Sequence, residues 1–367
     1  MTDLTTPFHG LGRRGFLTAV GGGLGALAVA GCTNSELDDP VSGAPRDAST
    51  GPSGASSPGA SEPPAFPVTV THRFGETTIP AAPQRIVALG QTDCDPLIAL
   101  GITPIAIGSF VDKWYDPVHP WNEEGFGGEK PEELHFLEVE FEKVAALQPD
   151  LITMVSGGIS KKDYETLSKI APVVGTPVGF TDSAVPYGPH TVLIGQCVGL
   201  EEEAKQIVAD VDAAYAAVRE AHPEWGSLNA IHAESYTGSF QVLGKNAPRT
   251  TFLTSVGFTL SDELDEITGN DYATEISAEQ LDLVGGLDLV VWCTDEGAIP
   301  DVKKDPVVQR LASTQSGRSI WMTYAKTDQF MWAMDWNTVL SGPYALELGV
   351  PLVEAALAGQ SPLSEGA

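Results

Sequence analysis

Glu142 and Glu279 stand in echoing surroundings, EFEKVAALQPDLITMV (residues 140–155) and SAEQLDLVGGLDLVVW (residues 277–292). Each precedes a short apolar helical pattern, then a Pro or Gly break, then Asp-Leu and a β-branched run. A carboxylate in a helix's first turn favours the positive end of the dipole. The same carboxylate, left exposed, can orient a partner through charge-assisted pairing with arginine. The Glu-to-Asp spacing differs by one residue between the two segments and their flanks share little, so what recurs is a position, not a sequence repeat.

Aromatic side chains form the second group able to do chemistry. Trp114, Tyr115, Trp121, Tyr236, Trp292, Tyr324, Trp332 and Trp336 fall in or near segments that follow β-type runs. Such rings either pack a core or offer a ligand apolar area with a polar handle. The histidines at 72, 119, 135, 190, 222 and 232 make no HxH or HxxxH pair, which argues against a site of several imidazoles on one metal. Neither GSFQVLG nor SGGIS fits the Gly-x-Ser-x-Gly elbow of a hydrolase. GSFQVLGKN fails as a phosphate loop, because Asn246 stands where Ser or Thr is required.

The elements that position these residues must come from a chain of 367 residues, long enough for two ordinary domains. Apolar content of 42% with 19% charged residues is that of a globular protein, and a formal charge of −29 excludes a phosphate-rich partner such as nucleic acid. Arg13-Arg14 before GFLTAVGGGLGALAVAGC reads as an export signal of twin-arginine type, too short to span a bilayer. VAGC resembles a lipobox, which makes Cys32 the lipid-bearing residue. The Pro-, Ser- and Gly-rich stretch that follows cannot bury enough surface to fold and reads as a tether. The first 31 residues hold two Arg and one Asp, so the acidity belongs to the body. Cys94, Cys197 and Cys293 remain; they allow at most one disulfide and lack zinc or CxxC spacing.

Along the body, VTVTHRFGETTIP reads as a hairpin around Gly75, and RIVALG, ITPIAIG, DLITMV and APVVGTP read as strands alternating with helices. EEEAKQIVADVDAAYAAVREAH is the longest helical pattern, with Ala204, Ile207, Val208, Val211, Tyr215 and Val218 along one face. LNAIHAESY, GSFQVLG, LDLVVWC and SIWMTYA belong to a second α/β series. The expected class is α/β: two lobes, each with a mainly parallel sheet flanked by helices, joined by one long helix. The expected divisions are 1–31 (signal), 32–66 (tether), 67–188 (N-terminal lobe), 189–224 (connecting helical region) and 225–367 (C-terminal lobe).

The order HRFGETTIPAAPQRIVALGQTDCDPLIALGITPIAIG, EKVAALQPDLI, the long helix, then SAEQLDLVGGLDLVVW resembles the substrate-binding lipoproteins of bacterial metal-chelate uptake. The likeness runs from Val68 to Leu357. It implies a non-enzymatic, monomeric, lipid-anchored protein on the outer face of the bacterial cell membrane. Its cargo would be a ferric siderophore, with haem or cobalamin as alternatives, delivered to an ABC permease dimer and its ATPase. No intrinsic cofactor or directly bound metal is implied. Glu142 and Glu279 match the acids that meet permease arginines. The resemblance implies a ligand cleft between the lobes, and ligands of such sheets sit at carboxyl ends of strands, which marks Gln91, Thr92, Trp114, Tyr115, Ser156, Gly157, Tyr236, Trp292, Tyr324 and Trp332 as candidate contacts; Arg249 joins them because the resemblance implies that the helix it opens faces the cleft. Arg249 would pair with an anionic siderophore or haem carboxylate, or else be a surface arginine. His119 or His135 would be the axial group if the cargo were haem.

Overall fold

The computed structural model describes residues 66–110, 115–135, 138–181, 184–236, 239–277 and 279–366. The export signal, Cys32 and the tether up to residue 65 lie outside these residues, as does Trp114. The described residues form one compact unit.

The body opens with an antiparallel hairpin, β1 (Val68–His72) and β2 (Gly75–Ile79), turning at Gly75 with φ 120°, a conformation open to glycine. The first five-stranded sheet follows: β3 (Ile86–Ala88), β4 (Ala106–Ser109), β5 (Glu132–His135), β6 (Leu151–Met154) and β7 (Val173–Gly175). Its order is β5-β4-β3-β6-β7 and every pairing is parallel. The second contains β8 (Ala230–Tyr236), β9 (Ser239–Leu243), β10 (Ala273–Ile276), β11 (Leu289–Thr294) and β12 (Ser319–Thr323) in the order β10-β9-β8-β11-β12. β8, β11 and β12 are parallel, whereas β9 and β10 run antiparallel to their neighbours. The two sheets thus place their strands in the same order, the second with an antiparallel edge.

The acidic corners now have a structural meaning. The helix Phe141–Ala146 leads into β6 and the helix Leu281–Gly285 leads into β11, the fourth strand of each sheet in chain order. Asp150 accepts the backbone N–H groups of Gln84 and Arg85 at 2.8 Å each, at the start of β3. Asp288 accepts the N–H of Asn229 at 3.0 Å, at the start of β8. In both lobes the aspartate pins the fourth strand to the first. Arg85 adds donors to the carbonyls of Leu147 and Gln148, which the helix Phe141–Ala146 would otherwise leave unpaired at its end.

Strand parity sorts side chains between cores, because successive residues face opposite sides of a sheet. Ile86, Ala88, Leu151 and Val174 join Ala230, Leu289, Val291, Cys293, Ile320 and Met322 in one continuous core that runs through both lobes. Val87, Ile152 and Val173 fill a separate outer core of the first lobe, and Ile231, Val290, Trp292 and Trp321 that of the second. The helix Glu201–Ala221 lies along the shared core and buries Ala204, Val211 and Tyr215, with Ile207, Val208 and Val218 partly covered, which is the predicted stripe. Its first turn carries Glu201, Glu202 and Glu203, favourable at the positive end of the dipole. Cys94, Cys197 and Cys293 are buried free thiols. Among the described residues, no helix is long and apolar enough to cross a membrane.

Candidate functional site

In the first sheet the chain leaves β3 toward one edge and β6 toward the other, so the loops after these two strands diverge and leave a crevice. Asp93, fully buried, holds its walls. Its carboxylate accepts the N–H groups of Val155 and Ser156 at 2.9 Å each and lies 3.0 Å from His190 Nε2. Burial works against the charge of Asp93, but the bonds from His190, Val155 and Ser156 outweigh it and hold the carboxyl below its ordinary value. A Cβ on Gly90 would sit 2.5 Å from the Asp93 carboxylate, which explains the glycine there. Over this frame Thr92 Oγ1 and Ser156 Oγ lie 2.6 Å apart, and Gln91 N–H donates to the Ser156 carbonyl at 2.8 Å. Gln91, Thr92, Ser156 and Gly157 are therefore one polar patch at the crevice.

In the second lobe Arg249 begins the helix Pro248–Ser255, and its side chain is only 3% exposed. Arg249 Nη2 lies 2.7 Å from Glu234 Oε1 and donates to Tyr324 OH at 2.8 Å, while Nε lies 3.1 Å from Asp335 Oδ1. Tyr324 OH donates to Glu234 Oε1 at 2.5 Å, Gln241 Nε2 donates to the other Glu234 oxygen, and Tyr272 OH donates to Asp335 at 3.1 Å. Burial disfavours the Arg249 charge, and the surrounding Tyr324, Asp335, Tyr272 and Glu234 groups more than restore it. Arg249 is thus neither a surface residue nor an unclaimed cation. Lys245 is likewise taken, 3.0 Å from Asp265.

The strand-end loops of the two lobes meet. Tyr115, which follows β4, packs edge-on against Trp332 at 5.4 Å between ring centroids and stacks near Trp336 at 6.4 Å. His119 stacks on Trp121 at 4.3 Å and contacts Trp332 and Trp336. Polar links cross beside them: Lys326 Nζ donates to the Tyr115 carbonyl at 3.0 Å, and His119 Nδ1 lies 3.3 Å from Gln329 Oε1. Asp95 accepts from Trp121 Nε1 at 3.0 Å, Asn122 Nδ2 at 3.0 Å and Thr338 Oγ1 at 2.5 Å. Burial raises the Asp95 carboxyl to about 6, partly offset by these donors, and lowers the His119 imidazole to about 4. His119 Nε2 is buried without a partner.

The structure brings Gln91, Thr92, Tyr115, Ser156, Gly157, Arg249, Tyr324 and Trp332 to the facing strand ends. Tyr115 and Trp332, each 3% exposed, form the seal between lobes rather than an open surface. Trp292 is a correction: it shares the parity of Val290, faces the outer core and is 0% exposed, packed against Phe240 and Trp321. Tyr236 ends β8, and Trp114 lies outside the described residues. Sequence alone does not mark Asp95, Thr338, Glu234 and Asp335 as site residues, because single acids and hydroxyls in unrelated segments carry no pattern that links them. Glu142 and Glu279 are exposed, as a docking role requires, and no side-chain partner is present for either among the described residues. Also among the described residues, no group of three or more His, Cys, Asp or Glu is arranged to hold a metal ion.

The model for the family described as "Periplasmic binding protein" matches residues 86–323. The chain is 34% identical over 149 residues to the Bacillus subtilis "Probable siderophore-binding lipoprotein YfiY", covering 39% of this chain and 42% of that one. The chain spans about half the length of the first curated relatives it matches. A periplasmic solute binding protein from Mycobacterium smegmatis has the same fold, with TM-score 0.69, 30% identity, and coverage of 79% of this chain and 98% of that one. PiaA from Streptococcus pneumoniae, solved in complex with ferrichrome, gives TM-score 0.65 and 25% identity, covering 80% and 99% of the two chains.

Proposed function

The chain belongs to the periplasmic binding protein family, and we propose that it captures a ferric siderophore between its lobes and delivers it to an ABC permease for iron uptake. One observation carries this reading: the strand-end loops of both sheets converge, with the Gln91, Thr92 and Ser156 patch on one side and Tyr324 above Arg249 on the other. An iron chelate with organic arms suits such a surface, which pairs apolar rings with hydroxyl and amide groups. The ferrichrome complex of PiaA and the siderophore-binding name of the B. subtilis relative support the cargo. Tyr115 and Trp332 fit the role of a seal that the chelate parts or repacks on binding.

Lipid attachment at Cys32 would hold the body outside the membrane, a reading supported by the lipobox-like VAGC and by the lipoprotein name of that relative. Glu142 and Glu279, exposed before the fourth strand of each sheet, would engage arginines on the two halves of a permease dimer, the binding protein acting as a monomer. Haem is the second reading, favoured by the buried, unpartnered Nε2 of His119 among four aromatic rings. A thermal-shift panel of ferric hydroxamates, ferric catecholates, haem and cobalamin separates these. At a hundredfold excess over Kd a cognate ligand adds about 2.7 kcal/mol of stability, a shift of several degrees. The siderophore reading expects that shift from a ferric siderophore, and a shift from haem alone would replace it.

A further inference from the structure

The surroundings of Arg249 set the charge that the second lobe tolerates, and from them we infer that the cargo is a neutral or cationic ferric chelate of the hydroxamate kind, not a polyanionic citrate or catecholate complex. The inference rests on the siderophore reading above and narrows it. Three singly charged hydroxamates neutralise a ferric ion, whereas three doubly charged catecholates leave a strongly negative complex.

One guanidinium faces two carboxylates, Glu234 Oε1 at 2.7 Å and Asp335 Oδ1 at 3.1 Å, so the group beneath Tyr324 carries a net negative charge. Glu234 is 2% exposed, and it reaches this face because it shares the strand parity of Ala230, toward the shared core. A polyanion arriving here would have to compete with two carboxylates already within ion-pair distance of Arg249. Two further cations of the second lobe are also engaged. Lys245 pairs with Asp265 at 3.0 Å, and Lys326 donates to the Tyr115 carbonyl at 3.0 Å. Lys113 lies outside the described residues. His119 and His232 are buried with their pKa lowered, so they add no positive charge at neutral pH. Asp295 and Glu296, both exposed, follow β11 and add negative charge at the same ends. Arg249 Nη1 is buried without a protein acceptor. With its charge balanced, the guanidinium retains donors suited to a weakly charged carbonyl or hydroxamate oxygen. Repulsion by the surplus carboxylate then works as selection against anionic chelates.

The test is an equilibrium tryptophan-fluorescence titration of the full chain at neutral pH and low salt. The probes are ferrioxamine B (cationic), ferrichrome (neutral), ferric citrate and ferric enterobactin (both anionic). The expected result is a Kd at least about tenfold lower for the cationic and neutral complexes. Asp335→Asn, at a side chain 20% exposed, should then shrink that preference by about tenfold through tighter anion binding. An anionic complex that binds as tightly as ferrichrome overturns the inference and leaves the siderophore reading standing. An unchanged ranking in Asp335→Asn removes this cluster as its source. Binding of none of the four overturns both.

Discussion

Asp95 joins the lobes through a buried carboxylate, and a buried carboxylate is sensitive to pH. Burial raises its carboxyl from 3.8 to about 6, so the folded protein holds a proton there that the unfolded chain releases. The resulting stability is complete below about pH 4 and is lost as pH rises through 6. Replacing Asp95 with Asn removes that dependence. Melting curves from pH 4 to 7 should show the wild-type advantage over Asp95→Asn shrinking as pH rises, by on the order of 2 kcal/mol across the window. A constant difference would mean that Asp95 does not titrate there. His119, lowered to about 4, has the opposite sign, its contribution being lost as pH falls from about 6.5 to 4, so the difference between proteins is the informative quantity. Gly90→Ala tests packing at the crevice. Its Cβ would meet the Asp93 carboxylate at 2.5 Å, and denaturant unfolding should register a loss of about 1–3 kcal/mol. An unchanged midpoint would show that Asp93 can move aside.

At the scale of elements, the two acidic corners prove equivalent because of their aspartates. Asp150 and Asp288 each tie the fourth strand of a sheet to its first by accepting backbone N–H groups. Both reach solvent, so Asp150→Ala and Asp288→Ala should each cost about 1 kcal/mol in urea unfolding. If neither variant moved the midpoint, the shared pin would have no energetic content. The strands with continuous apolar runs and the spine helix were legible in the sequence, since burial on both faces or along one stripe imposes a pattern. β5 and β10 were not. EELH and ATEI are short, polar edge strands, and an edge strand needs little apolar content because only one side pairs. The antiparallel sense of β9 also escaped, because strand direction depends on the connection and leaves no mark in the strand's own residues. A place near a strand end makes Trp292 a candidate ligand contact in the sequence. Its parity with Val290 was readable, but which face would meet the other lobe was not.

For the whole molecule, both lobes contribute to a single core, and the helix Glu201–Ala221 runs along it. Glu142 and Glu279 are both exposed on this body. The double change Glu142→Arg and Glu279→Arg should abolish iron uptake in cells while leaving the ligand Kd within about twofold, because surface charges remote from a site rarely alter its affinity. Lost affinity with normal uptake would refute the docking role. Arg249 has two readings in sequence, as an anion partner or as a surface residue, and the fold removes the second by burying it among acids distant in the chain. Capture of a ferric siderophore is tested by titrating the purified chain with ferrichrome, following tryptophan fluorescence, then isolating the complex by gel filtration. Saturable quenching at one iron per chain and recovery of the intact chelate are expected. An absence of quenching with ferrichrome and with every other ferric siderophore tried, or recovery of chelate fragments, would contradict it.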